Sequence, residues 1–143
     1  MKLRTFELKD LDEVTKMFIA LIDIIYPKHQ KGEYNQFLQT VKSWIISKKD
    51  IFIVETDEGE IAAFSLSYIE EYKFIQPFYY GDSLYVKKRY RKSKASYLLY
   101  ANILQIAEEK KLPIHAKGFT STDASGILEK LLGDPSFIEF IKV

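Results

Sequence analysis

The residues best suited to chemistry lie where a short apolar run meets a basic stretch and then a helical pattern. The run ends at Val86, and six cations follow it: Lys87, Lys88, Arg89, Arg91, Lys92 and Lys94. Ser93 and Ser96 can accept hydrogen bonds from free N–H groups at the start of the helix. Those N–H groups and the positive end of the helix dipole favour phosphate. We therefore expect the main chain between Val86 and Ala95 to turn its amide hydrogens toward a shared point where a diphosphate binds.

Three interpretations of this basic segment stay open. A phosphate cradle is favoured because an apolar strand, a basic loop and a helix occur in that order. Nucleic-acid binding is the rival, since charged and aromatic residues are interleaved here: Arg89, Tyr90, Arg91 and Tyr97. The formal net charge of only +1 weakens that rival and makes a nucleic-acid partner the poorer hypothesis. A solvated basic turn without a ligand is the third interpretation.

Composition restricts the chemistry that the chain can perform. The 143 residues include no cysteine, which excludes a disulfide framework, a thiolate nucleophile and a cysteine-based zinc site. The two histidines are too few for a histidine cluster, so we expect no metal. Neither a secretory signal nor an apolar run of membrane-spanning length is visible. We expect a single cytoplasmic domain over residues 1–143 without a membrane partner, because 47% hydrophobic residues can build a core.

The elements that position the basic segment alternate between strand and helix. The apolar spacing predicts strand 2–8, a helix capped by Asp10, a helix from Tyr34, strands 51–55, 61–68 and 78–86, helix 95–110, strand 113–119, helix 123–132 and strand 137–143. The order β-α-α-β-β-β-α-β-α-β implies a mixed α/β sheet with helices on both faces.

Local details of the central strands bear on the candidate site. Gly59 is free to take positive φ in a hairpin turn, and Gly81 indicates either a bulge or a close backbone approach inside strand 78–86. Residues 70–77 are predicted to form a polar and aromatic connection between two strands. With regular pairing, the side chains of Tyr80, Asp82 and Leu84 would share one face of the sheet.

The element order and segment 84–99 resemble the GCN5-related N-acetyltransferase (GNAT) family. That family's signature is an apolar strand ending in Val, a short linker, and (Arg/Gln)-x-x-Gly-x-(Gly/Ala) opening a helix. Val86 and the run Arg91-Lys-Ser-Lys-Ala-Ser96 occupy these positions. The resemblance implies a GNAT-like, largely antiparallel central sheet and an N-acetyltransferase that moves an acetyl group from acetyl-CoA to an amine.

The resemblance also implies how acetyl-CoA binds. The loop amides would bind its pyrophosphate, and the strand before the loop would splay from its neighbour to admit the pantetheine arm. The residues placed at the cofactor by this correspondence are Leu84, Tyr85, Val86, Arg91, Lys92, Ser93, Lys94, Ala95 and Ser96.

Two departures from the family pattern support a second hypothesis. Lys94 and Ser96 stand where the family has glycines, which let backbone approach phosphate closely. Many members also place a Tyr, the acid for the leaving thiolate, four residues before a Gly-Phe pair. Here Glu129 precedes Gly133, and helix 123–132 has no tyrosine. The second hypothesis is a catalytically degenerate binding or regulatory module with the same fold.

The catalytic candidates come from counting back along the strand. Family members with a side-chain base often carry it four or six residues before the Val, and these positions are Asp82 and Tyr80. A base there would remove a proton so that the amine can attack the thioester. Two other interpretations stay open, namely that Asp82 only stabilises a bulge and that Tyr80 only edges the core.

The acceptor side is less well defined by the sequence. His29, Glu70 and Tyr79 are candidate substrate residues, with surface or core positions as the alternative. An aromatic-rich zone surrounds two of them and comprises Tyr68, Tyr72, Phe74, Phe78, Tyr79 and Tyr80. Such a zone suits an acceptor pocket or a homodimer surface, and both stay open. The acceptor is expected to be an amine of a small molecule or a protein.

Overall fold

The computed structural model describes residues 1–25, 34–47, 50–119 and 139–141. Its elements are β1 (Lys2–Thr5), α1 (Leu11–Ile25), α2 (Tyr34–Ile46), β2 (Asp50–Glu55), β3 (Ile61–Tyr72), β4 (Ile75–Val86), α3 (Ala95–Glu109), β5 (Ile114–Phe119) and β6 (Glu139–Ile141), with 3₁₀ turns at Leu8–Asp10 and Lys88–Tyr90. His29 and the predicted helix 123–132, with Glu129, lie outside the described residues.

The strands lie side by side in chain order, from β1 to β6. β1 to β4 pair antiparallel with their neighbours, whereas β4 with β5 and β5 with β6 pair parallel. The prediction of a mixed, largely antiparallel sheet is therefore confirmed. Hairpin turns join β2 to β3 and β3 to β4, whereas α1 and α2 lie between β1 and β2 in the chain. The parallel step from β4 to β5 is bridged by α3.

Helices cover both faces of this sheet. Ile51 and Ile53 of β2 pack in one cluster with apolar residues of α1 and α2. Phe52 and Val54, on the opposite side of the same strand, pack in a second cluster with Ala95 and Leu99 of α3. The period of two along β2 thus separates two apolar layers. Each fully buried aliphatic side chain contributes about 1.5–3 kcal/mol to the stability of the fold.

The N-terminal turn differs from its prediction. Asp10 does not cap α1, because its carboxylate accepts two hydrogen bonds from Arg4 of β1, at 2.7 and 2.9 Å. It also accepts from the N–H of Glu7 at 2.8 Å. The Arg4 guanidinium outcompetes the helix N–H groups for a charged acceptor, so this carboxylate joins β1 to the turn before α1.

The β3–β4 hairpin is longer than the sequence pattern indicates. The prediction of a connection over residues 70–77 is wrong, since β3 continues to Tyr72 and β4 begins at Ile75. The register shifts between Glu70 and Tyr72, which places an additional residue on β4 beside Pro77. A proline lacks the N–H that a regular ladder needs, and such a shift is where a strand tolerates one.

A second register shift divides β4 near its middle. Ser67 pairs with Gly81 while Leu66 pairs with Ser83, so Asp82 is the additional residue of a β-bulge. The predicted irregularity at Gly81 is confirmed, but the prediction that Tyr80, Asp82 and Leu84 share a face is wrong. The bulge shifts the alternation by one residue, which sends Tyr80 and Leu84 to opposite faces of the sheet.

Candidate functional site

β4 and β5 separate at the bulge. They pair at Tyr79–Ile114, Tyr80–His115 and Gly81–Ala116, and the ladder between them has no further pair in the described residues. Both strands nevertheless continue, β4 to Val86 and β5 to Phe119. Because a bulge bends its strand, β4 leaves β5 one residue after the last pair. The split gives an extended ligand access to the edge of β4.

The loop after β4 uses many of its N–H groups internally. Tyr90 donates to the carbonyl of Lys87 at 2.8 Å, and Ser93 donates to the carbonyl of Tyr90 at 3.0 Å. The N–H of Ala95 donates to Oγ of Ser93 at 3.2 Å. The amides of Lys87 and Arg91 also bond to main-chain carbonyls. The expectation that all amides between Val86 and Ala95 face a shared point is therefore wrong for these five groups.

A smaller set of N–H groups stays available at the start of α3. Those of Lys92, Lys94, Ser96 and Tyr97 make no hydrogen bond within the described part of the chain. Ser96 lies inside the helix, so its predicted capping role is wrong, whereas Ser93 does accept from the N–H of Ala95. Free N–H groups at a helix start carry partial positive charge and bind anions.

The six cations of the loop fall into two sets. Lys87 contacts Glu13 at 2.6 Å and Glu60 at 3.2 Å, and Arg89 contacts Glu60 as well. The other four make no ion pair with a described residue, and they are Lys88, Arg91, Lys92 and Lys94. These four side chains are exposed beside the free N–H groups of α3, so positive charge and donors coincide.

The predicted cofactor residues divide by what they contact. Leu84, Val86 and Ala95 pack in one apolar cluster and fix the corner between β4 and α3. Tyr85 lies on the other face, and the guanidinium of Arg91 stands 5.9 Å from its ring centre. Nε of Arg91 also donates to the carbonyl of Val86 at 3.2 Å. The apolar residues thus shape the corner while the basic ones face solvent.

An aromatic cluster lies beside the split on the face of α1 and α2. The ring centre of Tyr80 is 5.4 Å from Tyr68, 6.2 Å from Phe78 and 5.5 Å from His115. Burial raises the pKa of the Tyr68 hydroxyl, and the nearby carboxylates of Asp82 and Glu70 raise it further. Three predicted candidates, Tyr80, Asp82 and Glu70, therefore each lie close enough to Tyr68 to influence its hydroxyl.

Tyr79 is separated from this cluster by the sheet. Its side chain is 0% exposed and packs against Ile103 and Ala107 of α3. Its hydroxyl donates to Asp50 at 2.8 Å and lies 2.8 Å from Oγ of Ser67. Burial raises the pKa of this hydroxyl above its ordinary value. The substrate role stays a prediction, and the contacts of Tyr79 are those of a core residue.

Glu60 is the site residue that the sequence did not indicate. It lies at the end of the β2–β3 turn, 27 residues before Lys87, and it contacts Lys87, Arg89 and Tyr90. Nothing in a turn sequence distinguishes this carboxylate from its solvated neighbours Asp57 and Glu58. Only the antiparallel register of β3 with β4 brings it to the loop.

Two further findings concern the described residues as a whole. They contain no group of three or more His, Asp and Glu side chains placed to hold a metal ion. None of their helices combines the length and apolarity needed to cross a membrane.

Solved structures of acetyltransferases share this architecture. A ribosomal-protein-alanine N-acetyltransferase from Brucella melitensis biovar Abortus 2308 superposes with a TM-score of 0.74 at 12% identity, covering 99% of this chain and 98% of that one. The aminoglycoside N-acetyltransferase AAC(6')-Iy in complex with CoA gives 0.70 at 15% identity, covering 98% and 91%. An aminoglycoside acetyltransferase from an uncultured soil metagenomic sample gives 0.65 at 13% identity, covering 99% and 95%.

Sequence comparison adds no relative to these structures. No family model matches the chain, and no curated protein matches it. The structural likeness at such low identity shows the fold, which is that of the GNAT-type acetyltransferases.

Proposed function

We propose, from a fold shared with GNAT-type acetyltransferases, that this chain transfers an acetyl group from acetyl-CoA to an amine. The observation that carries the proposal is the start of α3. There the free N–H groups of Lys92, Lys94, Ser96 and Tyr97 adjoin four cations without ion-pair partners in the described residues. A diphosphate matches both features, because its oxygens accept hydrogen bonds and carry negative charge.

The split between β4 and β5 supports the same ligand. It opens at Asp82 and leads toward the loop that follows Val86. A pantetheine arm is extended and carries amide groups, so it can lie along the edge of β4 in the manner of an added strand. Its thioester would then reach the middle of β4, next to Asp82 and Tyr80.

The proposed chemistry needs few protein groups. The amine nitrogen forms a bond to the acetyl carbon, the carbon–sulfur bond breaks, and the thiolate of CoA leaves. Asp82 would accept the proton of the amine, directly or through water, and the leaving thiolate takes up a proton. Tyr80 would line the acceptor side. Most of the acceleration would come from holding amine and thioester together.

The acceptor class follows from the charge around the aromatic cluster. Glu70 and Asp82 are close enough to influence Tyr68, and the rings of Tyr68 and Tyr80 are in contact. Carboxylates and aromatic rings both attract ammonium groups. A small-molecule or protein amine that arrives protonated fits these surroundings.

A homodimer stays a prediction, and the exposed Phe74 at the hairpin turn marks the surface that would serve it.

A catalytically degenerate binding module is the second candidate. It is favoured by the five loop amides that are bonded within the chain and by the lysine at position 94. Such a module would bind CoA, or would have lost it, without acetylating any amine.

Titration calorimetry and an acetylation assay test the proposal together. We expect wild-type protein to bind CoA with a dissociation constant below about 1 mM, the range of ordinary enzyme substrates. With acetyl-CoA and a panel of polyamines, amino acids, aminoglycosides and peptides, we expect release of free thiol that depends on one amine. Binding without any release would favour the module, and the absence of both would contradict the proposal.

A further inference from the structure

The loop after β4 is held by a carboxylate from another hairpin. Oε1 of Glu60 lies 3.2 Å from Nζ of Lys87, and Oε2 accepts from the hydroxyl of Tyr90 at 2.7 Å. Arg89 contacts Oε1 of Glu60 as well. One side chain thereby bonds to both ends and the middle of the segment 87–90.

Glu60 is itself fixed by the turn between β2 and β3. Its carbonyl accepts from the N–H of Thr56 at 2.8 Å, and its N–H donates to Oγ1 of Thr56 at 3.1 Å. Thr56 is 6% exposed, and Gly59 closes the turn at φ +86°. The carboxylate therefore projects from a rigid base, while the loop that it holds is exposed.

The loop needs such a clamp because it has no glycine. Glycine would let the chain turn through positive φ, but residues 87–94 are all non-glycine and none of them has positive φ. The chain instead turns through the short 3₁₀ helix Lys88–Tyr90, whose poorer hydrogen bonds give little stability. Side-chain contacts must supply what the backbone lacks.

We propose that Glu60 is a positioning residue that sets the loop in its anion-binding shape, in place of the missing glycines. The inference rests on the proposed function for the identity of the ligand, but the positioning role can be tested with any anion that binds the loop. In this role Glu60 favours phosphate binding, although it is an acidic residue beside a phosphate site.

The sign of the effect separates this role from simple electrostatics. Removing a negative charge near the loop raises its positive potential, so charge alone predicts tighter anion binding without Glu60. Loss of the clamp predicts weaker binding, because the segment that leads into the N–H groups and cations of residues 92–97 is then no longer held in place. The two explanations thus predict opposite changes for one substitution.

Four variants and two probes form the experiment. Glu60→Ala removes the clamp, Glu60→Gln removes its charge and one of its two acceptor oxygens, and Tyr90→Phe removes one of its hydrogen bonds without changing charge. Glu58→Gln is the matched control, since Glu58 lies in the same turn and is not among the described carboxylates that form ion pairs with the loop. The probes are CoA and inorganic pyrophosphate, measured by calorimetry at low ionic strength, with melting curves to confirm folding.

We expect CoA to bind about tenfold more weakly to Glu60→Ala and several-fold more weakly to Tyr90→Phe, the size of one or two lost charge-assisted hydrogen bonds. Glu58→Gln should bind at least as tightly as wild type. In the acetylation assay, the KM for acetyl-CoA should rise while the KM for the amine stays constant, a split that general destabilisation would not produce.

The other possible outcomes distinguish the positioning role of Glu60 from the proposed acetyltransferase function. If Glu60 variants bind CoA as tightly as Glu58→Gln does, the positioning role is overturned and the function is untouched. If wild type binds pyrophosphate but not CoA, and Glu60→Ala loses pyrophosphate, the clamp stands and the function fails. If wild type binds neither probe, both proposals are wrong. Tyr90→Phe and Glu60→Gln decide the matter if Glu60→Ala does not fold.

Discussion

At the scale of single residues, the bulge places the candidate base Asp82 where β4 and β5 separate. The carboxylate accepts from Oγ of Ser83 at 3.1 Å and lies beside the last β4–β5 pair, at Gly81. Because a bulge bends its strand, this carboxylate lies at the point where β4 turns away from β5.

Asp82→Asn tests this residue. The amide keeps the size of the side chain but cannot take up a proton, so we expect kcat to fall about 100-fold while the dissociation constant of CoA stays unchanged. Steady-state kinetics and calorimetry on the same preparation measure both. Ser83→Ala is the control, because it removes a hydrogen bond to Asp82 and leaves the carboxylate in place. Equal losses of activity in the two variants would contradict the role of Asp82 as a base.

At the scale of elements, α3 ends under local strain. Lys111 has φ 54°, the only positive φ of a non-glycine residue among those described. The N–H of Leu112 donates to the carbonyl of Ala107 at 2.9 Å, which closes the helix end in the manner of a Schellman motif. Glycine is the residue that this position ordinarily holds.

Lys111→Gly should therefore stabilise the protein, by about 0.5–1 kcal/mol of unfolding free energy. Lys110→Gly is the matched control, since Lys110 has φ −81° and a glycine there only adds freedom to the unfolded chain. Urea denaturation of both variants measures the difference. A lower midpoint for Lys111→Gly than for wild type would show that the strain is absent.

The elements also show which features the sequence could predict. Helices α1, α2 and α3 and the turn at Gly59 follow from apolar spacing and from one conformational requirement, which are local properties. The extension of β3 and β4 could not be predicted in this way. After Ser67 in β3 and before Tyr79 in β4, these two strands pair with each other and with no other described strand. No buried face therefore imposes a period of two on residues 70–77.

The candidate site could be predicted from the sequence only where its residues are close together in the chain. The basic segment and the start of α3 are contiguous in sequence, so Arg91, Lys92 and Lys94 could be found by their spacing. Glu60 and His115 reach the site only through strand register, which a single sequence does not encode locally. The faces of Tyr80 and Leu84 are predicted wrongly because Gly81 indicates an irregularity without showing which residue is the additional one.

At the scale of the whole molecule, one ion-pair network joins the first strand to its surroundings. Arg4 contacts Asp10 and Glu55, each at 2.7 Å, and Asp10 is 4% exposed. Its hydrogen bonds with Arg4 hold the pKa of Asp10 below its ordinary value, against the opposing effect of burial. A lowered pKa in the folded state means that the unfolded state binds the proton more readily.

Acid should consequently destabilise the fold through Asp10. The contribution of Asp10 to the free energy of unfolding is complete above about pH 4, the ordinary pKa of an aspartate. It is lost as the pH falls through the lower pKa that Asp10 has in the folded state. We expect Asp10→Asn to lose about 2 kcal/mol at pH 7 and to differ less from wild type below pH 4. Denaturant titrations at several pH values measure this. A difference that stays constant with pH would mean that ionisation is not involved, and the exposed Asp12→Asn should change little.

The bulge has one more consequence, for anyone who redesigns this protein. Because Asp82 is an additional residue, the alternation of side chains between the two faces of β4 shifts by one position there. The alternation that tells which positions of β4 tolerate a polar substitution therefore reverses at Asp82. Deleting Asp82 would bring the Ser67–Gly81 and Leu66–Ser83 pairs next to each other in a regular ladder, so the other side chains of β4 would keep their partners and their faces. Deletion scanning should therefore find that the fold tolerates the loss of position 82 better than the loss of a paired residue of β4.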